Sequence, residues 1–365
     1  MKYIDEFHDG AAAGALSAKI AAAAGRIGRP VRLMEVCGTH TVAVHRHGLR
    51  DLFPPGLKLV SGPGCPVCVT PADYVDSAIK AASLPGVTVV TFGDMVRVPG
   101  SRSTLVDARA SGADVRVVYS PTDALEAAAG EPAREVVFLG VGFETTVPSV
   151  AGTMVEARRR GVKNFSVLGA FKQIPNTMRA LISDPALAID GFLCPAHVAA
   201  IIGSAAYSFI PAEFKRPCVV AGFEPLDILY GVLGLVTQLA EGRAEVENQY
   251  SRVVKTGGNA LARRVVHEVL EPADAVWRGI GTIPVSGFRI REGWRDQDAA
   301  RRFDLSVPAL VENPGCRCGE VLRGSLDPPG CSLFGKGCTP ERPVGPCMVS
   351  SEGSCAANYK YSRQE

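Results

Sequence analysis

The sequence predicts an α/β protein built on mainly parallel sheets, and three observations carry that expectation. From residue 31 to about 240, short β-branched runs alternate with Ala-rich helical stretches, the pattern of βα units around a parallel sheet. Nearly every unusual motif falls directly after one of those runs. Beyond Pro314 the composition turns to Gly, Pro and Cys, a stretch so poor in core-forming residues that a covalent or metal staple is needed to order it.

Taken in order, the N-terminal "MKYIDEFHDGAAAGALSAKIAAAAG" carries acids where a signal peptide would carry a basic flank, and Lys19 interrupts its Ala-rich run, so it reads as an amphipathic helix. The first strands expected are "VRLMEV" (31–36), "LKLV" (57–60), "VTVVTF" (87–92), "DVRVVY" (114–119) and "EVVFLG" (135–140). A second series follows with "NFSVLGA" (164–170), "DGFLC" (190–194) and "RPCVVAG" (216–222). Ser120, Pro121 and Asp123 make a helix start, with cap, first-turn proline and capping-box acid in place. Thr70, Pro71 and Asp73 repeat that pattern. "EARRRG" reads as the basic last turn of a helix stopped by Gly161. Around Glu245 the sequence becomes charged and helical, and then loops are expected.

Composition excludes several classes. The 365 residues are 47% hydrophobic, enough for two or three domains with real cores. Thirty-nine Lys+Arg against 37 Asp+Glu leave +2, with no basic block to suggest nucleic acid. No apolar run approaches the ~18 residues of a membrane span, so a soluble, cytoplasmic protein is expected. "GxxxxGK[ST]" does not occur, so nucleotide hydrolysis has no motif support.

Eleven cysteines in a reducing compartment read better as metal ligands, redox thiols or packing residues than as a disulfide framework. Six of them crowd between Cys316 and Cys355. Cys316, Cys331, Cys338 and Cys355 are separated by 14, 6 and 16 residues, with Cys318 and Cys347 as further candidates. Paired short-spaced zinc ligands are absent, and thiolates brought together from loops suit an iron-sulfur cluster, with structural zinc and unliganded cysteines as the alternatives. "SGPGCPVCVTP" places Cys65 and Cys68 just before a helix, where thiolate is stabilised for disulfide exchange; two small fillers of a tight turn are the plainer reading.

Motifs after strands converge on one cleft if the sheet is open and parallel. They are "CGTH" (37–40), "GPGCPVC" (62–68), "FGD" (92–94), "GFETT" (142–146), "CPAH" (194–197) and "GFEP" (222–225). "VCGTHTVAV" echoes "LCPAHVAAI" and "GVGFETT" echoes "VAGFEPL", which hints at two similar halves. Cys37 and His40 lie about one helical turn apart, placed to pair or to share a metal. A hydrolase pair, a closed zinc site, an open site with one soft thiolate, and a packed Cys beside a surface His all compete. Glu144 and His197 sit at strand ends, where a carboxylate or imidazole accepts protons, binds a cation or caps a helix. Cys194 and Cys218 read as buried small hydrophobes.

Together "EVCGTH", "GPGCPVC", "GFETT", "CPAH" and the tail "GPCMVSSEGSC" resemble the HypD family of [NiFe]-hydrogenase maturation factors, from about residue 30 to the C-terminus. The resemblance implies two similar α/β domains with mainly parallel sheets, at 31–130 and 131–250, and a Cys-rich domain at 251–365 carrying a [4Fe-4S] cluster. The helix of residues 1–30 is a candidate addition to that last domain. It implies a scaffold with redox function that, with a HypC-type chaperone, holds iron while two cyanides and one CO are attached to form Fe(CN)2CO. HypE, carrying thiocyanate made with HypF, would deliver the cyanide. Carried over, Cys37 would bind the assembly iron with His40 beside it, Cys65 and Cys68 would be the redox pair, and Cys316, Cys331, Cys338 and Cys355 would hold the cluster. A stand-alone cluster-dependent thiol-disulfide oxidoreductase is the competing function.

Overall fold

The computed structural model of the chain describes residues 7–308 and 313–361. Two sheets organise it. The first contains β1 (Val31–Glu35), β2 (Leu57–Ser61), β7 (Gly191–Pro195), β8 (Cys218–Ala221) and β9 (Val246–Asn248), in the order β2-β1-β7-β8-β9 and parallel throughout. The second has the order β10-β11-β6-β5-β3-β4. There, β3 (Val87–Thr91), β4 (Asp114–Val117), β5 (Glu135–Gly142) and β6 (Phe165–Lys172) are parallel, while β10 (Leu270–Trp277) and β11 (Gly281–Ile290) form an antiparallel hairpin that continues the sheet beside β6. β3, β7 and β8 are buried along their whole length, as strands covered on both faces must be.

The helices are α1 (Gly10–Ile27), α2 (Gly38–Arg46), α3 (Ala72–Ala82), α4 (Leu105–Ala110), α5 (Pro121–Gly130), α6 (Val147–Arg159), α7 (Ile174–Ile182), α8 (Ala196–Ile202), α9 (Pro225–Ala240) and α10 (Ala260–Val269). The expected capping box of α5 forms, with Ser120 and Asp123 each bonding the other's backbone N–H. At α3 the cap falls one residue later than expected, on Pro71, because the Thr70 hydroxyl donates instead to the Pro66 carbonyl at 2.8 Å. α6 ends as expected: Arg159 pairs with Glu156, Arg160 with Glu126, and Gly161 adopts a φ of 69°.

The chain is described by all eight expected strands, but the sheets do not part at residue 130. The first sheet draws on the chain up to β2 and again from β7 to β9, and the second takes β3–β6 and then the hairpin. Each parallel pairing needs a long crossover, and such a crossover can leave one sheet and return to it. The hairpin also replaces the loops expected after α10. α1 belongs with the first sheet rather than with the Cys-rich end: Leu16, Ile20 and Ala23 pack among Leu226, Leu229 and Val232 of α9 and the strands beneath. Among the described residues no helix is long and apolar enough to cross a membrane.

Residues 313–361 form short turns and helices that dock on both sheets. Arg32 of β1 donates to the Gly324 carbonyl. Asp94, after β3, accepts from the Ser350 hydroxyl at 3.0 Å and the Ser351 N–H at 3.2 Å. At the hairpin turn, Gly279 has a φ of 71° and lies so close to Gly319 that a Cβ would stand 2.4 Å from its Cα.

One buried charge holds the outer strand loop to α9. Asp227, 0% exposed, accepts from both terminal nitrogens of Arg252 and from Gln249 at 3.1 Å. Asp227→Ala removes a buried partner and is expected to destabilise the protein by about 2–4 kcal/mol, with Arg252 partly exposed and so partly rescued by water. A lowered urea midpoint measures it; an unchanged midpoint contradicts the assignment.

Candidate metal and redox site

Because β2, β1, β7 and β8 are adjacent and parallel, the loops after them leave the same edge of the sheet. Those loops and the first turns of the helices after them carry Cys65 and Cys68, then Cys37 and His40, then His197, then Phe223 and Glu224. Strand order therefore gathers four of the six motifs expected to converge, whereas "FGD" and "GFETT" follow β3 and β5 of the second sheet.

Cys37 lies two residues beyond β1 and occupies the cap position of α2 in an extended conformation. Its thiol is buried, and its pKa is pushed up to about 12, chiefly by loss of hydration, with the Glu352 and Glu35 carboxylates adding to it. The N–H groups of His40 and Thr39, at the start of α2, pull the other way but are outweighed. Glu35 is buried directly beneath: one carboxylate oxygen accepts the Cys37 N–H at 3.0 Å and the other accepts the Thr41 hydroxyl. Burial raises its pKa to about 7 against those hydrogen bonds. Glu352 reaches in from the Cys-rich segment and accepts the Thr39 hydroxyl at 2.8 Å.

The GPGC loop lies on Cys37. The Gly38 N–H donates to the Gly64 carbonyl at 3.0 Å. A Cβ on Gly64 would stand 2.2 Å from the Cys37 nitrogen and 2.4 Å from its Cα. Only glycine fits so near another backbone. The next residue, Cys65, is joined to Cys68 in a disulfide, and Cys68 in turn contacts the Pro346 carbonyl at 4.0 Å. The pair thus bridges the Cys37 loop and the Cys-rich segment. Both sulfurs belong to one apolar cluster with Trp277, Cys318 and Cys347.

His40 is anchored on the first sheet by one ring nitrogen and keeps the other free. Its Nε2–H donates to the Gly222 carbonyl at 2.8 Å, at the end of β8, and burial lowers its pKa to about 4. The imidazole is neutral and its Nδ1 has no partner. Phe223 stacks between it and His197, with ring centroids 4.7 Å and 3.9 Å away. Glu144 is buried, and its Oε1 accepts the Ile174 N–H at 2.9 Å at the start of α7. It caps a helix, as the plainer reading expected, although not the helix that follows it in sequence. Its Oε2 has no partner, and burial raises its pKa to about 7. Cys194 and Cys218 lie in mutual contact on neighbouring strands, fully buried, as expected of small hydrophobes.

At the other end, Cys316, Cys331, Cys338 and Cys355 line one cavity, together with Cys318 and Cys347. Gly345 passes so close that a Cβ would stand 2.6 Å from the Cys316 sulfur. The Val344 N–H points to the Cys338 sulfur at 3.3 Å. Cys347 touches Cys355 and, being buried beside it, is held protonated. Among the described residues no three His, Cys, Asp or Glu side chains form a group that could hold a single metal ion. The donor set still fits a cubane, in which each thiolate bonds a different iron.

Sequence reasoning did not find Glu35, Glu352, Phe223 or Asp94 as parts of this region. Phe223 and Asp94 lie in motifs it singled out, "GFEP" and "FGD". Glu35 and Glu352 likewise lie in the quoted "EVCGTH" and "GPCMVSSEGSC", and a lone carboxylate inside a buried strand is itself a readable signal.

A family model described as HypD, "Hydrogenase formation hypA family", matches residues 11–362. The chain is 50% identical to the hydrogenase maturation factor HypD of Azotobacter vinelandii, over all of this chain and 98% of that protein. It is 48% identical to HypD of Rhodobacter capsulatus, covering 99% and 98% of the two chains, and 47% identical to HypD of Escherichia coli K12, covering 92% and 91%.

Glu144 binds its proton more tightly folded than unfolded, so the folded state holds the extra proton between pH 4.5 and about 7 and loses stability as pH rises through that window. Glu144→Gln keeps the acceptor for Ile174 and is expected to remove up to one proton of slope, about 1.4 kcal/mol per pH unit. Urea midpoints across the window measure it; an unaltered slope contradicts the burial assignment.

Proposed function

We propose that this chain, which belongs to the HypD family of hydrogenase maturation factors, is the scaffold on which the iron part of a [NiFe]-hydrogenase site is assembled. Its role in hydrogenase maturation follows from the family. The finer reading is that, with a HypC-type chaperone in the cytoplasm, it holds iron as cargo while two cyanides and one CO are attached to give Fe(CN)2CO. Cyanide would arrive on HypE.

The observation that carries this reading is the packing of the disulfide loop directly on Cys37. A thiol that is to bind iron is brought against a two-electron couple. Cys37 can supply one soft ligand. The nearby carboxylates are engaged, Glu35 by Cys37 and Thr41 and Glu352 by Thr39, so further ligands would come from the partner and the cargo. Iron binding would displace the Cys37 proton, which burial otherwise retains. His40 and Glu35 would stay as the neutral and hydrogen-bonded wall of the site, and His197 with Phe223 would shape its rim.

Freeing cyanide from an S-bound thiocyanate breaks the S–C bond and takes up two electrons, leaving a thiolate and cyanide. Converting the Cys65 and Cys68 thiols to the disulfide releases two electrons and two protons. A [4Fe-4S] cluster held by Cys316, Cys331, Cys338 and Cys355 would supply single electrons when bound. The competing oxidoreductase reading needs a sulfur that protein substrates can reach; Cys65 is 4% and Cys68 0% exposed, which disfavours it.

Cys37→Ala is expected to abolish the infrared bands of iron-bound CO and cyanide on the anaerobic complex with the HypC-type partner. The cluster absorbance of the same preparation should persist. Loss of both signals together would assign Cys37 a structural role and sink the reading.

A further inference from the structure

A second cavity lies away from the cysteines, between α7, α8, α10 and β11. It measures about 210 Å³, below the ~300–1,000 Å³ of drug-sized pockets. Its walls are largely apolar, with Ile201 and Ile202 of α8 and Phe288 of β11 among them. Three ionisable residues line it: Glu144, Arg263 and His267.

Their burial and partners differ. Glu144 is 5% exposed; its Oε1 is taken by the Ile174 N–H, and Oε2 is a buried acceptor without a partner. Left unpaired, this buried oxygen favours the protonated carboxyl, and an N–H donor placed on it would favour the carboxylate instead. Arg263 and His267 are both exposed and stand one turn apart on the same face of α10. Arg263 spends one N–H on the Gly257 carbonyl at 3.2 Å, which leaves the rest of its fork of donors for an anion. The lining therefore combines an oxygen that asks for an N–H donor, side chains that offer donors to negative charge, and apolar walls.

We propose that this cavity binds a small molecule of amino-acid size, with an amine or amide at one end facing Glu144 and a carboxylate at the other facing Arg263 and His267. The assignment is independent of the assembly reading. The apolar walls exclude water from the middle of such a ligand, and the two polar ends fix its direction and length.

Unbranched ω-amino carboxylic acids from glycine to 6-aminohexanoate serve as probes for the full-length chain, read by saturation-transfer NMR and calorimetry. One length is expected to bind best, with a Kd of about 1 mM or tighter. The matching acid without the amine, and the amine without the acid, should each bind about tenfold more weakly or worse. Arg263→Ala, on the exposed face, should lose the same factor with no change in melting temperature, and Glu144→Gln should weaken the amine-bearing probes selectively. A flat response across the series, or binding indifferent to Arg263→Ala, overturns the proposal. Equal binding of the amine-free acid overturns it too, since Glu144 would then only cap α7.

Discussion

Gly64 stands where any side chain would collide with the backbone of Cys37, and the arrangement around the thiol depends on that approach. The contact is possible because β1 and β2 are adjacent and parallel, with Glu35 in register with Ser61. Their exit loops then leave side by side. It brings Cys65 to the Cys37 loop, while the turn closed by the disulfide carries Cys68 to Pro346. One close backbone contact therefore links a strand-end thiol, a dithiol couple and the edge of a cysteine-lined cavity.

Burial biases several ionisable groups there toward neutrality: Cys37 and Glu35 upward, His40 downward, and Glu144 upward further off. A site of this kind resists charge until a counter-charge arrives. Iron bound as proposed would be such a counter-charge and would make the reluctant thiol a ligand. The carboxylates accept hydrogen bonds that orient the Cys37 loop. His40 contributes its imidazole to the end of β8 and its backbone N–H to the thiol, so it ties two strand ends together.

The Cys-rich segment is held by polar contacts from both sheets, through Asp94 to Ser350 and Ser351 and through Thr39 to Glu352. Glu352 lies three residues before Cys355. The segment that would carry the cluster thus also reaches the Cys37 loop, through the Thr39–Glu352 hydrogen bond.

Much of this was legible in the sequence for local reasons. β-branched runs, the capping chemistry of α5, the αL glycine after α6 and the motif loops at strand ends are set by neighbours a few residues apart, and they stand where they were expected. The cysteine inventory likewise belongs to the sequence alone. Tertiary structure decided what local patterns do not encode: that β1 pairs with β7 rather than β3, that the hairpin of β10 and β11 completes the second sheet, that Glu144 caps α7, and that Glu352 reaches Thr39 across 313 positions of chain. A periodic run specifies which face is buried, but the partner that buries it is chosen by the packing of the whole chain.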